Sequence, residues 1–365
     1  MNEEANDQGG SRKMKMKSGK LGALLVLSAT MLLSACGGNN GNGGNASPSG
    51  SASASSSASP SSAASSQAAA PADKKITLGF AQVGAESGWR TANTKSIQDA
   101  AKEAGVDLKF SDAQQKQENQ IKAIRSYIQQ KVDIISFSPV VESGWDTVLK
   151  EAKDAGIPVI LTDRAVDSKD TSLYVTFMGS DFVEEGRKAG EWLADQYKDT
   201  QEDVNIVELQ GTTGSAPAND RMAGFKEKIE GNPHLKIIAS QTGDFTRAKG
   251  KEVMQAFLKA HKDIDVLYAH NDDMALGAIQ AIEAAGLKPG VDIKIISVDG
   301  VKDGMTAASE GKINYIVECN PLLGPDLMQA AKDVLAGKEL PKRIVTKDET
   351  FTSEQAKEAL PNRKY

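Results

Sequence analysis

The sequence predicts an α/β protein of two doubly wound parallel-sheet lobes. Three observations predict it. From Lys75 onward, ten short β-rich runs alternate with helical segments, and strand, helix, strand at this spacing implies parallel sheets covered on both faces by helices. The helical segments carry apolar residues three or four apart, and several close on Ala-Gly at Gly105, Gly156 and Gly286, where glycine takes the left-handed conformation that ends a helix. Ten strands are many for one open sheet, so a split near residue 180 into halves of similar length is the better solution by size.

Taken in order, the chain opens with a segment outside the fold. Arg12, Lys13, Lys15, Lys17 and Lys20 precede the apolar run LGALLVLSATMLLSA, residues 21–35. About fifteen apolar residues is short for a membrane span and suits a signal-peptide core. The run ends in Leu33-Ser34-Ala35-Cys36, which looks like a bacterial lipobox. It predicts a lipoprotein signal over 1–35 and an acylated Cys36 as the mature N-terminus. An ordinary export signal with an incidental cysteine is the competing reading. Residues 36–72 are almost wholly Gly, Asn, Ser, Ala and Pro after the cysteine, too poor in apolar surface to repay ordering, and read as a flexible tether. Lipid and tether together place the body just outside a membrane. Cys319 is the second of two cysteines, so no disulfide is expected within the mature chain.

The strands expected in the body are 76–82, 106–113, 132–140, 157–164 and 173–180, then 204–211, 235–243, 264–271, 291–300 and 313–320. In open α/β sheets, ligands bind beyond the carboxyl ends of the strands. Those ends carry Glu86, Ser87, Trp89 and Arg90; Gln114 and Gln115; Asp163 and Arg164; Gly211 with Arg221 further on; Asp244 and Phe245; Asn271 to Asp273; Asp299; and Glu318. Carboxylates, guanidinium groups and amides suit vicinal hydroxyls, and an aromatic face packs on the C–H side of a sugar ring. That combination is the profile of a carbohydrate cleft. Each tip also has a bland reading. Strand-tip Asp and Asn are common helix caps, and Asp163-Arg164 could be a solvated pair worth under roughly 1 kcal/mol.

Other classes fit less well. The net charge of -6, with no basic block in the body, argues against a nucleic-acid binder. His234, His261 and His270 lack metal-ligand spacing, so no metal or cofactor is expected. Neither a G-x-S-x-G elbow nor a Walker loop occurs. Asp163 and Asp299 could in principle form a glycosidase pair, but Arg164 beside Asp163 favours its ionised form over a general acid.

The stretches FAQVGAESGWR, DAQQKQENQIKAIRSY, PVILTDR, VELQGTTGSAPANDRMAGF, SQTGDFTRAKGKEVM, LYAHNDDMALGAIQAI and ISVDGVKDG resemble the type I, ribose-binding-like periplasmic sugar-binding proteins of ABC importers, and within them the galactofuranose-binding branch. The resemblance covers residues 75–320. It implies a three-strand hinge, with an N-terminal lobe of 73–180 plus 319–347 and a C-terminal lobe of 181–318 plus 348–365. It further implies a monosaccharide in the cleft held by Ser87, Trp89, Arg90, Asp163, Arg164, Arg221, Phe245, Asn271, Asp299 and Glu318, no catalysis, a monomer, and ABC permease subunits as partners. Ribose binders carry an aromatic where this chain has Arg90, and Glu318 replaces a glutamine. These two charged groups point to a hexose, and the resemblance implies its furanose form, galactofuranose first, with a pentose such as ribose as the alternative. A sensor lipoprotein serving a receptor is a further reading. A transcriptional regulator on the same lobes would need a helix-turn-helix where this chain has its lipobox.

Overall fold

Buried apolar runs set the strands, and the order of those strands sets two sheets. The computed structural model describes residues 75–365; Cys36, the leader and the tether lie outside the described residues. The first half runs β1 Thr77–Gln82, α1 Gly88–Glu103, β2 Asp107–Asp112, α2 Gln117–Gln130, β3 Ile134–Phe137, α3 Asp146–Asp154, β4 Val159–Thr162 and β5 Thr176–Gly179. It continues with α4 Phe182–Gln196, β6 Val204–Gln210, α5 Ala216–Ile229, β7 Leu235–Thr242, α6 Arg247–Ala260, β8 Val266–Ala269 and α7 Asp272–Ala284. The remainder is β9 Lys294–Asp299, α8 Lys302–Ser309, β10 Tyr315–Glu318, α9 Gly324–Leu335, β11 Arg343–Val345, β12 Thr350–Thr352 and α10 Ser353–Ala359.

The fold is the two-lobed α/β architecture expected from the alternation, and each of the ten expected runs holds a strand. One six-stranded sheet has the order β11-β5-β4-β3-β1-β2 and the other β12-β10-β9-β8-β6-β7. Pairing is parallel except where β12 runs antiparallel to β10. Strand β5 belongs to the first sheet, while α4 after it packs on the second. Strand β10 belongs to the second sheet, while α9 after it packs with α1 on the first. Strands β11 and β12 then sit in opposite sheets. The chain therefore passes between lobes three times.

Both sheets are sandwiched. In the first lobe, Ile97, Leu327 and Met328 cover one face and Ile124, Tyr127 and Leu149 the other. In α2 the inward residues are Gln120, Ile124 and Tyr127, spaced by four and three, which is why this segment buries one stripe. Ile124 is fully buried, and truncating such a side chain costs about 2–5 kcal/mol. In the second lobe α4 and α5 touch backbone to backbone, because a Cβ at Gly224 would collide with the Val183 carbonyl. This close approach matters below: it brings Glu185 of α4 against Arg221 of α5.

Candidate functional site

Parallel register leaves the strand ends of each sheet level with one another, as where Gln82 pairs with Asp112 and Glu318 with Asp299. The backbone turns sharply there. Gln114, Gln115, Asp163, Asp244, Phe245 and Asp299 all have positive φ, from 52° to 117°, and all lie just past or at the end of a strand. Non-glycine residues held this way cost of order 1–3 kcal/mol each and cluster at functional sites. The two rows of tips face each other across a narrow cavity lined from both sheets.

The first lobe supplies a paired network. Arg90 Nε donates to Glu86 Oε1 at 2.9 Å, and its Nη2 lies 2.7 Å from Asp163 Oδ2, which also accepts from Ser138 Oγ at 2.7 Å. Burial would raise the Asp163 carboxyl, but Arg90, Arg164 and the Ser138 hydroxyl outweigh it and hold it below its ordinary value. Burial and the neighbouring Arg90 charge lower Arg164 to about 10, against the pull of Asp163 and Glu86. Arg164 Nη1 donates to the Val140 carbonyl at 3.1 Å, and its guanidinium lies 5.2 Å from the Phe245 ring of the other lobe. Ser87 caps α1, its Oγ accepting from Arg90 N at 3.1 Å. Trp89 is buried, with its indole Nε1 donating to the Cys319 carbonyl at 2.6 Å and its ring 4.6 Å from the Arg90 guanidinium.

The second lobe is poorer in cations. Arg221 Nε lies 2.7 Å from Glu185 Oε2, and Nη1 donates to the His270 carbonyl at 2.5 Å. Its Nη2 is 3.9 Å from Asp299 Oδ1. Burial drives the Asp299 carboxyl well above its ordinary value; Arg221 opposes this, and Asp272 and Glu185 add to it. Burial likewise raises Glu185, to about 7. Asn271 Oδ1 caps α7 by accepting from Met274 N, while Nδ2 donates to the Phe245 carbonyl at 3.1 Å. The Phe245 ring lies against Gly211, where any Cβ would clash with it.

Nine of the ten expected site residues thus line one cavity: Ser87, Trp89, Arg90, Asp163, Arg164, Arg221, Phe245, Asn271 and Asp299. Glu318 does not. Successive strand residues point to opposite faces; Cys319 lines the cavity, and the Glu318 carboxylate instead meets Arg363, Tyr365 and Glu349 N. The solvated Asp163-Arg164 pair is also corrected. Both side chains are buried, 3.7 Å apart at their closest charged atoms, and the tight partner of Asp163 is Arg90. Glu86, Pro217 and Cys319 line the cavity without having been expected there as contacts. Glu86 was visible as a tip residue; Ser138 and Glu185, which hold Asp163 and Arg221, carried no signal.

Three atoms of cavity-lining residues have no hydrogen-bond partner among the described residues: Glu86 Oε2, Arg164 Nε and Asp299 Oδ2. Two acceptors and a donor, buried and unpaired in a cavity that an indole and a phenyl ring also line, form a place for a small polyhydroxylated ring. The lobes also touch directly around it. Gly88 N donates to Asp273 Oδ2 at 2.7 Å, Glu142 N to the Gly214 carbonyl at 2.9 Å, and Asn219 Nδ2 to Glu142 Oε2 at 2.6 Å.

Fold and site together define a two-lobed solute-binding protein. The chain belongs to the periplasmic binding protein domain family, which it matches over residues 78–339. It is 49% identical over 293 residues to the galactofuranose-binding protein YtfQ of Escherichia coli (strain K12), covering 79% of this chain and 92% of the other. A Mycobacterium smegmatis protein solved in complex with β-D-fucofuranose is 67% identical, with a TM-score of 0.79 over 80% of this chain and 95% of that one. The binding component of the arabinose ABC transporter of Shewanella sp. ANA-3, solved with α- and β-L-arabinofuranose, is 52% identical, with a TM-score of 0.76 over 79% and 96%. The chain is accordingly a sugar-binding protein related to those of ABC importers, and not an enzyme.

Proposed function

We propose that this protein captures a monosaccharide in furanose form, galactofuranose first, by closing its lobes, and delivers it to the permease of an ABC importer while tethered to the membrane through Cys36. The observation that carries the reading is the cavity itself: charged and amide groups from both sheets, with Glu86 Oε2, Arg164 Nε and Asp299 Oδ2 unpaired among them. A ligand touching both rows of tips favours the closed arrangement, because only there are all its contacts made. The furanose preference is supported by the relatives, whose galactofuranose, fucofuranose and arabinofuranose share a five-membered ring and differ in the arm outside it. With Glu318 turned away, the charge argument against ribose rests on Arg90 alone, so the ring form leads and the sixth carbon follows.

Calorimetric titration with galactose, L-arabinose, ribose and glucose is the test, with the bound sugar's ring form read by NMR. Galactose or arabinose should bind more tightly than ribose, as a furanose. Ribose binding as tight as galactose overturns the preference, and pyranose signals alone overturn the ring form. The anchor is tested separately. Cys36→Ala should release the protein from the membrane fraction, since stable attachment needs the acyl chains; unchanged attachment refutes lipidation there.

A further inference from the structure

The last residues of the chain do something the cavity does not explain. The Arg363 side chain is 9% exposed and reaches three groups. Its Nε donates to the Gly300 carbonyl at 2.5 Å, Nη1 lies 2.7 Å from Glu318 Oε1, and Nη2 donates to the Tyr365 hydroxyl at 2.5 Å. Tyr365 passes its own hydrogen to Glu318 Oε1 at 2.6 Å. The guanidinium is stacked near the rings of Tyr365, 4.2 Å away, and Phe351, 5.2 Å away. Glu318 Oε2 accepts from Glu349 N, and Glu318 N donates to the Glu349 carbonyl. One carboxylate therefore ties the second passage between lobes to the third, and one guanidinium holds that carboxylate.

The residues so held are the immediate neighbours of cavity residues. Gly300 follows Asp299, and both have positive φ, 76° and 117°. Glu318 precedes Cys319, whose amide donates to the Asp299 carbonyl at 3.1 Å and whose carbonyl receives the Trp89 indole. A residue that fixes Gly300 and Glu318 at once fixes where Asp299 and Cys319 enter the cavity, and where the hinge strand starts.

We propose that Arg363 and Tyr365 are positioning residues for the sugar site, setting ligand affinity through Gly300 and Glu318 without touching the ligand. The proposal rests on the cavity being a sugar site. A binding constellation must be held within about 0.5 Å of its productive geometry by supporting hydrogen bonds. Packing alone would make these residues matter to unfolding and leave affinity unchanged.

The test uses the mature protein and two variants, Arg363→Gln and the milder Tyr365→Phe, which removes one hydroxyl. Two quantities are read: affinity for galactose and L-arabinose by calorimetry, and hydrogen exchange of the Cys319 amide without sugar. Arg363→Gln should weaken affinity about tenfold and Tyr365→Phe roughly two- to threefold, each with faster exchange at Cys319, as expected of residues coupled through a shared loop. Wild-type affinity in both variants overturns the proposal, as does unchanged exchange at Cys319. Should Arg363→Gln fail to fold, Tyr365→Phe decides the matter alone. If the wild type binds none of the sugars, the sugar reading falls, and the exchange measurement still reports whether the clamp holds Cys319.

Discussion

The two walls of the cavity are built on the same plan and charged differently. In the first lobe two guanidinium groups, Arg90 and Arg164, face two carboxylates, Glu86 and Asp163, so Asp163 stays ionised despite burial. In the second, Arg221 alone faces Glu185 and Asp299, and both carboxyls are driven toward protonation by burial. Equal burial has opposite consequences because desolvation is offset by matched counter-charge on one side and not on the other. In the first wall, Asp163 remains a charged acceptor well into the acid range. In the second, Glu185 changes its protonation near neutrality.

The largest effect comes from breaking the matched wall. Asp163→Ala leaves two buried guanidinium groups short of a partner, which should cost about 3–5 kcal/mol of stability in urea unfolding. Ligand affinity should fall with it, by at least the roughly tenfold expected for a lost charged hydrogen bond. Unchanged unfolding would mean that Arg90 is satisfied by Glu86 alone.

A second experiment sharpens the contrast in pH. Glu185 is raised to about 7 from an ordinary 4.5, and Asp272 to about 7 from 3.8, in each case first by burial. A carboxyl raised by folding contributes stability that is present below its unfolded value and lost as pH rises through its folded value. The melting temperature of the sugar-free protein should therefore rise as pH is lowered from 8 to 6.5. Below that, His270, which burial holds neutral with a lowered value, works the other way, because the unfolded state takes up its proton first. Asp163, lowered from 3.8, loses its contribution only under more acid conditions. Glu185→Gln should flatten the neutral slope, and a slope that survives the substitution assigns it to Asp299 and Asp272.

The smallest effect tests the rim, outside both walls. Asn219→Ala removes one hydrogen bond between lobes, to Glu142, worth about 0.5–1.5 kcal/mol net. Affinity should drop by roughly two- to tenfold, with the melting temperature of the sugar-free protein nearly unchanged. A loss in stability without a loss in affinity would show that the bond joins the lobes equally with and without sugar, and not in closure on it.

Legibility in the sequence followed pattern length. The ten runs were readable because each is a β-rich run bounded by helical periodicity, whereas Arg343–Val345 and Thr350–Thr352 are three residues each and carry no period. The cavity residues were readable because strand ends in parallel sheets point one way, so Asp163, Phe245 and Asp299 could be collected before their distances were known. Glu318 shows where that logic stops. Being at a strand end fixes the position along the strand, but the side chain's face depends on a two-residue alternation whose phase the sequence alone left open. Glu185 lay beyond reach for another reason: within Phe182–Gln196 it reads as one of two adjacent acids on a helix, and only the close approach at Gly224 buries it against Arg221.

The left-handed turns at the strand ends carry a consequence for protein engineering. Asp163, Phe245 and Asp299 each occupy a conformation that glycine adopts freely and larger residues resist. A laboratory population selected for heat resistance alone, with no requirement to take up sugar, would drift toward glycine at such positions, first where the side chain is exposed, at Gln114 and at Lys131, the left-handed cap of α2. Replacement would come last at Asp163, Phe245 and Asp299, whose buried side chains are held by the cavity, so the laggards would mark the cleft with no ligand ever added to the assay.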